Sequence, residues 1–451
     1  MVDSLTSTRR ARSETEALPV SCTLRKIAEC LLSVSMSLTL AVKISQLQAF
    51  RFLFCSMLRA SVQGQAAIHT DHACPTIHGY LCSDAQQGKK NQVTTTQNPD
   101  TRLDLFLTGP LFFDIVFTGL PASPQPGTEV WAEGMGSLPG GIANLAVAAS
   151  RLGLKTGLAA GFGDDAYGAW AWSLLEQQEK IDLQRSRTFR GWHSAVTVSL
   201  ARQGDRSMIT HGHPIPVTQR ELIGTPPPAR AALAELVRPD GEEPWWKDYG
   251  AGETLVFAGV GWDPSELWDP AVLADLPLCH AFLPNHVEAM AYTRTDTPET
   301  ALSRLSDQVP LAVVTKGADG AIATDASTGE TASVPGLRVN ALDPTGAGDV
   351  FAAGMVTGTL EQWPLEQRLL FASLCSALSV QHFGGSLAAP GWGDIMDWWE
   401  TAKARSAGNQ ESADIARRYG FLDDLVSDKA HNAVRRAEAT FGLLTEVEAF
   451  S

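Results

Sequence analysis

Residues 343–354 read DPTGAGDVFAAG. Glycine loses more backbone freedom on folding than any other residue, so Gly346, Ala347 and Gly348 in succession call for a physical reason. A stretch without side chains lets another group come close to the main chain. The flanks place it at a helix start: SVPGLRVNAL before it is extended in character, and VFAAGMVTGTL after it has the apolar look of a buried helix. A first helical turn carries N–H groups without intrahelical partners and the positive end of the dipole. That makes the run an anion site at which a phosphate can touch backbone. Asp349 falls in the same turn, as a helix-start charge or as a general base beside that site.

The chain before this run alternates strand and helix patterns. RLDLFLTGP (102–110) reads as a buried strand, with Asp114 near a strand end just after it. PGGIANLAVAASRLG (139–153) spaces Ile142, Leu145, Ala146, Ala149 and Leu152 along one helix face. GFGDDAYG (161–168) is a glycine-rich turn leading to a helix, and residues 253–261, 280–285 and 310–317 are short apolar strands. This order predicts an α/β fold of three layers, a mostly parallel central sheet covered by helices on both faces. HSAVTVSLARQGDRSMIT (193–210) reads as a hairpin which, with TEVWAEG (128–134), predicts a small antiparallel β lid over segments 128–136 and 193–210. GTPPPARAALAELVRPDGEEPWWKDYGAG (224–252) reads as a helix with surface loops. The expected organisation is a poorly ordered or targeting-like extension over 1–100, a main domain over 101–399 and a helical tail over 400–451.

The formal net charge of −15 argues against nucleic acid and anionic membrane as partners. Residues 30–42, CLLSVSMSLTLAV, are too short to span a bilayer. Five of the seven cysteines fall in the first hundred residues and no CxxC pair occurs, so the main body reads as a reduced, cytoplasmic protein without a zinc knuckle. No GxxxxGK[ST] occurs, and no glycine fingerprint of dinucleotide binding follows the first strand. His211 and His213 in THGHP form a close pair with no other ligand type near them in sequence, which favours a turn over a metal site.

From about residue 103 to 395 the chain resembles the ribokinase (PfkB) family of carbohydrate kinases. DPTGAGDVFAAG is similar to that family's C-terminal signature and GGIANLAVAASRLG (140–153) to its N-terminal one, while GFGDDAYG, LPNHVEA and VVTKGADG occur in the family's order. The resemblance implies a kinase using ATP and Mg2+, in some members K+, acting on a sugar or nucleoside and often dimeric. It implies Asp349 as catalytic base, Gly346, Ala347 and Gly348 as anion hole, and Asp114, Gly140, Gly141 and Asn144 at the sugar. It further implies Asn285 and Glu288 around magnesium and its waters, Thr315, Gly317 and Gly320 at the nucleotide, and Asp343 near a monovalent cation. HFGGSLAAP (382–390) is similar to the loop that closes over the adenine.

The chain departs from ribokinase proper at two places. Phe112 stands where a polar amide precedes the sugar-binding aspartate, and VFAGVGWDP (256–264) offers no acid before Asp263. A more apolar pocket suits an aromatic base, so an adenosine-like nucleoside is the alternative acceptor. A non-catalytic sugar or nucleotide sensor on the same fold is the alternative from another class.

Overall fold

The computed structural model describes residues 102–436, apart from 203–204, 238–242, 251, 262, 264 and 430–433. The extension expected over 1–100, and the end of the expected tail, lie outside the described residues.

Among the described residues fourteen strands run in chain order: β1 Leu103–Thr108, β2 Leu111–Thr118, β3 Gly134–Gly141, β4 Thr156–Ala159, β5 Gly161–Gly163, β6 Arg187–Phe189, β7 Ala195–Arg202 and β8 Asp205–His211. After these come β9 Ala229–Glu235, β10 Leu255–Gly259, β11 Ala281–Phe282, β12 Leu311–Thr315, β13 Ala321–Asp325 and β14 Glu330–Val334. The large sheet has the order β14-β13-β12-β11-β10-β9-β1-β4, parallel from β4 to β12 and antiparallel across β13 and β14.

Period-two burial explains the three layers. Leu105 and Leu107 of β1 and Leu311 and Val313 of β12 pack into one hydrophobic core. Their neighbours Phe106, Ala312 and Val314 pack into a second core. A sheet apolar on both faces has to be covered on both, and helices do so.

The segment read as a helix at 224–252 is corrected by β9, a strand in the middle of this sheet between β1 and β10. Alanine favours a helix in isolation, but Pro226, Pro227 and Pro228 hold the chain extended, and the Leu103 N–H bonds the Pro228 carbonyl at 3.0 Å. Ala231, Ala232 and Ala234 are then fully buried between the neighbouring strands and their covering helices.

The second sheet has the order β3-β2-β7-β8. It is the expected lid, shifted in its members: β2 joins it, and its β3 edge begins at Gly134, not at Thr128. β2 runs parallel to β7 and antiparallel to β3, so the lid is mixed. At the other end, the boundary expected after Trp399 falls inside the helix Trp392–Arg405. Tyr419 and Leu422 beyond it are fully buried, and Trp399 Nε1 donates to Asp423 Oδ1 at 2.8 Å. This part of the tail therefore packs into the main core.

A buried ion pair closes the first helix. Arg151, the last residue of helix Ile142–Arg151, donates to Glu179 through Nε (2.9 Å) and Nη2 (2.7 Å), and through Nη1 to the carbonyls of Leu387 and Ala389. Arg151 is 2% exposed and Glu179 7%. Breaking such a pair from one side leaves an uncompensated buried charge. Glu179→Ala is expected to lower stability by about 3–5 kcal/mol, read as a fall in the denaturant midpoint at unchanged slope.

Candidate active site

The helix Ala347–Leu360 begins at Gly346, whose φ of 75° lies in the left-handed region that favours glycine. Its first i→i−4 bond runs from the Val350 N–H to the Gly346 carbonyl at 2.9 Å, so the Gly348 and Asp349 N–H groups precede the ladder. A Cβ built at Gly348 meets nothing within 4 Å, which leaves open space over that turn. Donors, dipole and space therefore coincide where the sequence placed an anion.

Asp349 is half-buried on this turn and accepts a hydrogen bond from Asn144 Nδ2 at 3.1 Å. The ionised carboxylate can only accept, which fixes the amide's orientation. Burial raises the Asp349 carboxyl to about 6, and the Asn144 bond moderates that rise. Asn144 sits in the first turn of its own helix and is 5% exposed. Gly346 and Gly385 flank it so closely that a Cβ at Gly385 would run into Asn144 Oδ1, a buried acceptor without a partner in the structure.

Gly140 and Gly141 end β3, directly before this helix. Asp114 lies in the middle of β2, 7% exposed and opposite Leu138, so the expectation of a strand-end position is corrected. The reason is that the chain turns at Gly109–Pro110 and starts a new strand at once, so this aspartate belongs to the lid sheet. A Cβ at Gly140 would run into the Asp114 carboxylate. Asp114, Gly140, Gly141, Asn144 and the turn 346–349 thus form one corner between the lid and two helix starts.

Asp343 is almost fully buried and braces the loop before the turn. Its Oδ1 accepts from the Thr345 N–H and hydroxyl at 2.9 and 2.6 Å, and its Oδ2 from the Gly384 N–H at 3.0 Å. The segment expected to close over an adenine is itself packed inward: Ser386 is fully buried and its hydroxyl donates to the Pro139 carbonyl.

The remaining predicted residues form a second group. Asn285 and Glu288 make a reciprocal cap: Asn285 Oδ1 accepts from the Glu288 N–H at 3.0 Å, and Glu288 Oε2 from the Asn285 N–H at 2.9 Å. Burial raises the Glu288 carboxyl, and the bonds with Asn285 lower it in part. Asn285 bridges in parallel to Thr315, the last residue of β12. Gly317 opens the next turn, and Gly320 closes it with its backbone against Val334 and Gly336. This second group follows the carboxyl ends of the parallel strands β11 and β12, where open α/β sheets bind ligands.

Sequence reasoning missed Glu235. It ends β9 and lines a cavity of about 800 Å3. The stretch 256–264 offers no acid before Asp263, and Glu235 stands one strand earlier, closing the apolar run after the three prolines. The cavity is also lined by Phe112, Trp192, Pro214 and Ile215, and Phe112 packs against Gly141 on the edge of the corner described above.

The model of the pfkB family carbohydrate kinases matches residues 251–391. A fructokinase of Klebsiella pneumoniae is 30% identical over 281 residues, covering 57% of this chain and 91% of that protein. A nucleoside kinase of Methanothermobacter thermautotrophicus is 26% identical over 299 residues, covering 65% and 94%. Among solved structures, the Arabidopsis thaliana ribokinase complexed with ribose and ATP superposes with a TM-score of 0.54 at 21% identity, covering 66% of this chain and 98% of that one. The chain belongs to the pfkB family of carbohydrate kinases, and so to the phosphotransferases.

Proposed function

We propose that this kinase transfers the γ-phosphoryl group of ATP to a hydroxyl of a sugar or sugar-like molecule, with Asp349 as general base. The observation that carries the reading is the turn 346–349. It joins unpaired N–H donors, open space above Gly348 and a carboxyl raised to about 6 within one helical turn. A carboxyl near 6 accepts a hydroxyl proton at neutral pH and is a stronger base than an ordinary aspartate. The attacking oxygen loses its proton to Asp349 as it bonds phosphorus, and the bond from phosphorus to the ADP oxygen breaks. The Gly346–Gly348 backbone would meet the charge on the transferred group.

Asp114 and Asn144 would bridge sugar hydroxyls, and the backbone at Gly140 and Gly141 lets the ligand close in. Glu235 would add a third carboxyl from the cavity side. Thr315, Gly317 and Gly320 would contact the nucleotide. Mg2+ fits Asn285 and Glu288 as hard oxygen donors: Glu288 keeps one carboxylate oxygen outside its cap for water-mediated binding. When bound, Mg2+ supplies charge neutralisation between the phosphates. Asp343 offers carboxylate lone pairs to a cation such as K+ while bracing its loop.

A nucleoside acceptor is the second reading, favoured by the apolar wall of Phe112, Trp192, Pro214 and Ile215 around the neighbouring cavity and by the nucleoside kinase among the relatives.

ATP turnover with fructose, ribose, adenosine and other nucleosides separates the two. Asp349→Asn is expected to lower kcat by about 10²–10⁴-fold with one acceptor class and leave thermal unfolding nearly unchanged. Turnover that survives the substitution would remove Asp349 as base. The active form of the base is the ionised one, so kcat/KM is expected to rise with pH through about 6 and to level above it. Asn144→Ala removes the bond that lowers the Asp349 carboxyl, and is expected to move this acid limb to higher pH in the same profile.

A further inference from the structure

Three histidines meet on the lid, beyond anything the phosphoryl transfer uses. His193 precedes β7, His211 ends β8 and His213 lies two residues further on. The pair noted in the sequence is thus joined by a third histidine from a segment eighteen residues earlier in the chain. One ligand nitrogen of each lies within 4.8 Å of the others, and all three side chains are exposed. Their ring centroids are 4.8 to 5.3 Å apart.

The lid's own bonds hold the backbones that carry them. Trp192 Nε1 donates to the Pro214 carbonyl at 3.1 Å, tying the neighbour of His193 to the neighbour of His213. The Ser194 N–H and hydroxyl both donate to the Asp165 carboxylate, at 2.7 and 2.9 Å. Val196 stands opposite His211 in the β7–β8 ladder. His193 Nδ1 lies 3.2 Å from the Ser194 carbonyl, and with the proton on that nitrogen Nε2 is the free lone pair.

We propose that His193, His211 and His213 form a binding site for a divalent transition cation of the Zn2+ class. Imidazole nitrogens select such cations over Mg2+, which prefers oxygen ligands in an octahedron. Around Zn2+ with Zn–N distances of about 2.0–2.1 Å, tetrahedral donors stand about 3.3 Å apart. Small side-chain rotations of exposed imidazoles reach that spacing from the arrangement seen. Three protein ligands leave a fourth position to water. His213 and Trp192 line the 800 Å3 cavity, so the cation sits at its rim and ties the open ends of the β7–β8 hairpin to the loop that follows.

The test is histidine footprinting of the full chain without an affinity tag, using diethylpyrocarbonate and mass spectrometry, with ZnCl2 as probe and MgCl2 as control. Labelling of His193, His211 and His213 is expected to fall together by about tenfold or more at saturating Zn2+ and to stay unchanged in Mg2+. Calorimetric titration of His193→Ala/His211→Ala/His213→Ala is expected to lose one zinc equivalent relative to the unaltered chain. Residues 1–100 hold ligand types of their own, among them His69, His72, Cys74, His78 and Cys82. Zinc uptake with unchanged labelling of the three lid histidines, or a triple variant that keeps every equivalent, would overturn the proposal.

Discussion

The hydrogen bond from Asn144 to Asp349 spans 205 residues of sequence and brings two helix starts face to face. Much of the surrounding structure serves that approach. A side chain at Gly385 would occupy the space of the Asn144 amide, and one at Gly346 would meet first the Gly385 backbone and then that amide. Gly140 is bare for the same kind of reason, since the Asp114 carboxylate lies against it. The helix that carries Asn144 at its start carries Arg151 at its end, where Arg151 pairs with Glu179 and donates through Nη1 to the carbonyls of Leu387 and Ala389, in the segment that holds Gly385. One helix thus links the site to a buried charge lock about two turns away.

The same closeness sets the chemistry. A carboxyl drawn out of water favours its neutral form, and a single amide donor opposes that in part, which leaves Asp349 near 6. A group poised there gains and loses a proton with little penalty at neutral pH. The large sheet supplies the frame: its parallel strands end together, so β1, β9, β11 and β12 deliver Gly109, Glu235, Asn285 and Thr315 toward one side. The lid sheet then brings Asp114 from a strand with no place in the main sheet. Among the described residues, no helix is long and apolar enough to cross a membrane.

The sequence was most legible where local chemistry and tertiary structure ask for the same residues. The Gly346–Gly348 turn, the helix from Ile142 and the Asn285–Glu288 helix start all carry local signals strong enough to survive folding. It was least legible where packing overrides propensity. The alanines of β9 favour a helix alone, yet the middle of a sheet covered on both faces has room for small side chains and needs an extended chain. Glu235 went unseen with that strand. Asp114 was assigned to a strand end because nothing local distinguishes a strand that continues past Gly-Pro from one that starts anew in a second sheet. His193 could not be joined to His211 and His213 without the β7–β8 pairing that folds them together. The buried partnership of Arg151 with Glu179 has no sequence signature, since the two are related only through space.

The most direct test is a crystal structure of the full chain with Mg2+, a non-hydrolysable ATP analogue and the acceptor that supports turnover. The account predicts the terminal phosphate against the Gly348 and Asp349 N–H groups, with one acceptor hydroxyl within hydrogen-bond reach of the Asp349 carboxylate. A phosphate bound away from this turn, or an acceptor whose hydroxyls all lie beyond reach of Asp349, would contradict it.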